Sequence, residues 1–135
     1  MLDALRDHIA LMVRLAELEE QVERAAQAIA GSINGGGKVL VFGNGGSAAD
    51  ASHFAAELVG RFKRNRRPLA AIALNDAPAM SAIANDFGFV RVFESQVQAL
   101  HRSDDVVIGI STSGNSENVR LGLEAAVSSL TVGLL

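Results

Sequence analysis

Two short polar segments hold most of this chain's capacity for chemistry: GNGGS at 43–47 and STSGNS at 111–116. Each follows an apolar run with strand character and opens a run with helical character. The first amides of a helix have no intrahelical partner and the helix dipole favours negative charge there, so such a turn makes a ready anion site. In the first turn Gly43, Gly45 and Gly46 permit a tight bend, while Asn44 and Ser47 add side-chain hydrogen-bonding groups. The plain alternative is a strand-to-helix turn with Ser47 as N-cap. In the second turn Ser111, Thr112, Ser113 and Ser116 set four hydroxyls around Gly114, more than a cap requires. Two such turns in one small domain point to a ligand that carries a phosphate.

His53 and Glu57 stand four residues apart, which puts them on one face of a helix, one turn apart. Imidazole and carboxylate at this spacing can bind one metal ion, or the carboxylate can act as a base beside a metal. A surface hydrogen bond is the blander reading. Asn85 and Asp86, just before Phe87 and Gly88, fit either a helix stop and turn or hydrogen bonding to sugar hydroxyls. The segment RFKRNRR at 61–67 holds five positive charges in seven residues; it can draw in an anionic substrate or acidic partner, or be a solvated loop.

The elements that must position these residues follow from the apolar pattern. Residues 3–34 place Leu5, Ile9, Met12, Leu15, Val22, Ile29 and Ile33 mostly three or four apart, which predicts one long amphipathic helix or two consecutive ones. Asp3 can cap its start, and Gly35, Gly36 and Gly37 stop it. So small a domain offers this helix limited surface, and its stripe is expected to meet another subunit as well as the core. Beyond it the pattern alternates: strands at 38–42, 69–74, 106–110 and 131–135, with helices at 47–62, 77–85, 90–101 and 117–129. Short apolar strands with helical crossovers predict an α/β fold, a doubly wound parallel sheet with helices on both faces, whose ligands bind beyond the carboxyl ends of the strands. A final uncovered apolar strand would leave a sticky edge, so the sequence is expected to be incomplete at its C-terminus.

Bulk composition narrows the function classes. A chain of 135 residues supports one domain with a real core. The 49% hydrophobic and 20% charged content is that of a well-buried globular chain rather than a disordered one. A formal charge of −3 argues against general nucleic-acid binding. With no cysteine, neither a disulfide framework nor a thiolate metal site can form. The N-terminus mixes charges into its apolar residues and lacks a signal-peptide core, and no run reaches the length of a membrane span; a cytoplasmic location is expected.

The segments GNGGSAADASHFAAEL, AIANDFGF and ISTSGNSENV, in this order between about Lys38 and Ala126, closely resemble the phosphoheptose isomerases, members of the sugar isomerase (SIS) phosphosugar-binding family. The resemblance implies the SIS fold, a flavodoxin-like three-layer sandwich, in a single domain over 1–135, with 1–34 as the helical segment and 38–135 as the α/β core. It implies an aldose–ketose isomerase that converts D-sedoheptulose 7-phosphate to D-glycero-D-manno-heptose 7-phosphate through an enediol. That is the first step of bacterial ADP/GDP-heptose synthesis, which supplies lipopolysaccharide and related glycans. It further implies a homotetramer with active sites between subunits and one Zn2+ per subunit.

Carried over by residue, the resemblance assigns Asn44, Gly45 and Gly46, with Ser47 beside them, to the substrate loop, and Asn85 and Asp86 to sugar contacts. It assigns Ser111, Thr112, Ser113 and Ser116 to the phosphate. His53 and Glu57 match zinc ligands, and Glu57 also matches a substrate-contacting catalytic acid/base. The remaining ligands, a Gln and a His, are expected on a C-terminal segment that this chain does not contain; His8 and His101 match neither. Two alternatives accompany this implication. One is a non-catalytic relative that scaffolds the DnaA replication initiator, whose members tend to lack a Glu at position 57; the other is a phosphosugar-sensing domain.

Overall fold

In the computed structural model, which describes residues 2–126 and 130–134, four short runs form one parallel sheet. They are Val39–Gly43 (β1), Ala71–Ala73 (β2), Val106–Ile110 (β3) and Leu130–Leu134 (β4), in the order β2-β1-β3-β4. β1 is buried along its whole length and β3 nearly so, which is why both read as unbroken apolar runs rather than alternating ones. Successive residues still face opposite sides. Leu40, Phe42 and Val107 join a cluster with Leu74, Val92, Phe93, Val97 and Val119 on one face. Val39, Val41, Val106 and Ile108 join Ile33, Ala51 and Ala55 on the other.

The helices are Leu2–Leu15 (α1), Glu19–Asn34 (α2), Gly46–Val59 (α3), Ala77–Phe87 (α4), Val92–Leu100 (α5) and Glu117–Glu124 (α6). α2 and α3 supply the second cluster; α4, α5 and α6 supply the first, where the Phe42 and Phe93 rings stack at 4.7 Å. The result is the doubly wound three-layer arrangement expected from the alternation. Asp76 starts α4 by accepting from the Ala79 amide at 3.0 Å, with Pro78 in the first turn, where its missing amide hydrogen does no harm.

Several boundaries differ from the expectation. The N-terminal segment takes the second of the two expected forms, two consecutive α-helices, here joined by a 3-10 turn at Ala16–Leu18; it begins at Leu2, so Asp3 lies within its first turn, paired with Arg6 at 3.5 Å, rather than capping it. α3 ends at Val59 instead of 62, because Gly60 takes a non-helical conformation there. The strand at 69–74 shortens to 71–73: the Leu69 amide bonds the Leu58 carbonyl, tying it to the end of α3. The helix expected at 90–101 opens with a 3-10 turn at Phe89–Arg91, and the one expected at 117–129 ends at Glu124, with 127–129 outside the described residues. The last strand runs 130–134. None of the described helices is long and apolar enough to cross a membrane.

At the amino ends of the two central strands, Asp105 joins them. Its carboxylate accepts from the Lys38 amide at 2.9 Å and the Arg102 amide at 2.8 Å, and also pairs with the Lys38 ammonium. The opposite, carboxyl ends are left open for the two polar turns.

Candidate functional site

β1 runs to β2 on one side while β3 lies on its other side, so the chain reverses its winding direction between β1 and β3. At such a switch point neighbouring crossovers leave in opposite directions and open a crevice beyond the strand ends. Gly43 pairs with Ile110 there, and each of the two polar turns follows one of these residues. A Cβ on Gly43 would come within 2.7 Å of the Ile110 carbonyl oxygen and of Ser47 Cβ, so only glycine lets the turns sit this close.

In the first turn, Gly45 is the N-cap of α3, with φ 55° and ψ −119°, a conformation natural only to glycine. The plain alternative, with Ser47 as N-cap, does not hold: Ser47 lies inside the first turn of α3 and is buried, its amide bonded to the Asn44 carbonyl at 3.0 Å. Asn44 is half-buried, and its side-chain amide exchanges two hydrogen bonds, each 2.9 Å, with Asn118 on α6.

The second turn brings its hydroxyls together. Ser111, buried, donates to Ser116 Oγ at 3.2 Å and lies 3.5 Å from Ser113 Oγ; Ser113 Oγ accepts from the Asn115 amide. Thr112 and Ser113 are exposed. Ser116 is the N-cap residue of α6 but makes no side-chain capping bond, so its hydroxyl is not committed to its own helix.

α3 carries His53 and Glu57 outward on one face, with Nε2 and Oε1 3.8 Å apart and side chains 77% and 35% exposed. A tetrahedral zinc ion with ligands at its usual distances needs neighbouring donors about 3.3 Å apart, which small rotamer changes reach. The pair thus fits as half of a zinc set. Among the described residues no cluster of three or more metal-ligating side chains occurs. The two line a shallow groove of about 410 Å³ with Asp50, Phe54, Leu58, Phe62 and Arg66. Asn85 and Asp86 are exposed on the last turn of α4, where the Asn85 amide donates to the Asp86 carboxylate at 2.8 Å; among the described residues no hydrogen bond links them to either turn.

Two residues important to the site escape a motif reading. Asn118 is only 5% exposed and joins the turns; the clue was an Asn placed past the cap, inside a helix, where it is a poor helix former. Arg66 donates to the carbonyls of Glu57 (2.7 Å), Leu58 (2.9 Å), Gly60 (3.2 Å) and Arg67 (3.0 Å), closing the end of α3. In sequence it was hidden in the basic run 61–67.

Residues 5–131 match the SIS domain family. The phosphoheptose isomerase of Aquifex aeolicus is 58% identical over 118 residues, 84% of this chain and 62% of that protein. That of Geobacter sp. strain M21 is 54% identical over 124 residues, 90% of this chain and 65% of that protein. The chain thus spans less than two thirds of these curated relatives. Among solved structures, a phosphoheptose isomerase from Neisseria gonorrhoeae superposes with TM-score 0.80 at 43% identity, covering 97% of this chain and 71% of that one. One from Francisella tularensis superposes at 0.82 and 35% identity, covering 98% and 72%. With this domain match along nearly its whole length and these relatives beside it, the chain belongs to the SIS-domain family, within its phosphoheptose isomerase group.

Proposed function

We propose that this chain carries the phosphosugar grip and one catalytic helix of an aldose–ketose isomerase that converts D-sedoheptulose 7-phosphate to D-glycero-D-manno-heptose 7-phosphate. The observation that supports this most is the meeting of the two polar turns at the winding reversal between β1 and β3, with His53 and Glu57 on the helix that the first turn opens. The phosphate is bound by Ser111, Thr112, Ser113 and Ser116 at the amino end of α6, where hydroxyls and unpaired amides receive an anion. Asn44, Gly45 and Gly46, with Ser47 beneath them, and Asn85 and Asp86 bind the sugar.

The phosphate lies far from the reacting carbons, so its binding serves to orient them. Glu57 takes the proton from C1 of the open-chain ketose while the C2 carbonyl oxygen gains one, giving the enediol. Returning the carbon proton to C2, with loss of the O1 proton, gives the aldose. A Zn2+ held by His53 and Glu57, with donors from outside the described residues, would polarise the carbonyl and favour the charge that develops on its oxygen. We further propose that the working protein is a cytoplasmic homotetramer that acts at the entry to heptose synthesis.

A coupled isomerase assay on sedoheptulose 7-phosphate, with and without added zinc, tests this. Glu57→Gln is expected to lower turnover about 1000-fold. Binding of the sugar phosphate should stay within about threefold, since Glu57 does not touch the phosphate grip. Turnover retained by this variant overturns the assignment.

A further inference from the structure

Asn118 is the second residue of α6, past the cap position from which an Asn side chain bonds its own helix's free amides. Here it instead exchanges both hydrogen bonds with Asn44, 74 residues earlier, and it is only 5% exposed. At that depth water cannot easily replace a lost partner, so the two amides hold each other's orientation. Asn44 directly follows β1, and α6 begins directly after the second turn. The amide pair is therefore a side-chain link from the first turn to the helix that the second turn opens, in addition to the strand pairing of Gly43 with Ile110.

We infer that Asn118 is a positioning residue: through Asn44 it keeps the sugar-facing turn in register with the phosphate turn. The inference rests on reading the second turn as the phosphate site. Anion binding at the amino end of α6 adjusts that helix, and the amide pair passes the adjustment to Asn44 and the backbone beside it. A residue that merely stabilised the fold would leave no such directional coupling.

The test is titration of the full protein with inorganic phosphate, following the backbone amide resonances of Gly45 and Gly46 and those of 113–116. In the wild type both sets move together. In Asn118→Leu, which keeps the branched side-chain shape but makes no hydrogen bond, and in Asn44→Ala, the Gly45 and Gly46 response falls by about half or more while phosphate affinity stays within about threefold. The double variant does no worse than either single one, because both remove the same link. If Asn118→Leu does not fold, Asn44→Ala, at a half-exposed site, carries the test. An undiminished response in the variants, losses that add in the double variant, or a wild type whose second turn alone responds overturns the inference. A wild type in which neither turn responds overturns the phosphate reading beneath it, and the inference with it.

Discussion

Asp105 is nearly buried where β1 and β3 begin, and its carboxylate is held by three donors from Lys38 and Arg102. Burial alone would raise its pKa; the Lys38 ammonium hydrogen bond, the two backbone amides and the Lys38 charge outweigh this and hold it below the ordinary value. A carboxylate depressed in the folded state stabilises fully above its unfolded pKa, and the contribution is lost as pH falls through the folded value. Urea midpoints should therefore drop in the wild type as pH falls below about 4. Asp105→Asn should cost on the order of 2 kcal/mol at pH 7 and flatten that acid limb. An equally steep limb in the variant would show that other carboxylates dominate. None of this was legible in sequence, because Lys38 and Asp105 are 67 residues apart and meet only once β1 and β3 pair. His53 and Glu57 were legible, since four-residue spacing within one helix is a local property.

Among the elements, α3 matters most, since it starts at the first turn and carries His53 and Glu57. Glu57 sits in its last turn, where carbonyls lack helical partners, and the Arg66 guanidinium takes up those of Glu57, Leu58 and Gly60. Arg66→Ala should cost about 1 kcal/mol and speed amide exchange at the end of α3, with turnover reduced as Glu57 loses its fixed backbone. Arg66→Lys restores the charge but not the planar fork and should recover only part of the loss. Exchange rates unchanged in the alanine variant would remove Arg66 from this role. Helix and strand identities were readable from periodicity. Their ends were not, because Phe62 and Leu69 prolong the apolar pattern past Gly60 and before β2, while tertiary contacts at Arg66 and Leu58 set the actual stops.

At the scale of the whole molecule, the sheet accounts for every helix except α1. None of its residues is buried, and Leu2, Leu5, Ile9 and Met12 form an exposed stripe along one face, with Ile9 56% exposed. α2 reaches the core only through Ile29 and Ile33, near its carboxyl end. The three- and four-residue spacing that announced this helix in the sequence does not reveal what covers it, since intramolecular and intermolecular burial impose the same period. In the proposed homo-oligomer a second copy covers the stripe, and each large side chain so buried contributes about 1.5–3 kcal/mol. Replacing Leu5 and Ile9 together by Asp puts charge into that seam without touching the sheet. The double variant should run as a smaller species in size-exclusion chromatography with light scattering at micromolar concentration, while circular dichroism retains the α/β signature because α1 buries nothing against the core. If the site is built between subunits, turnover falls with assembly, although His53, Glu57 and both turns are intact. A wild type that is monomeric at that concentration, or a variant that assembles as before, would assign the stripe to some other cover and leave the domain to act through a single copy.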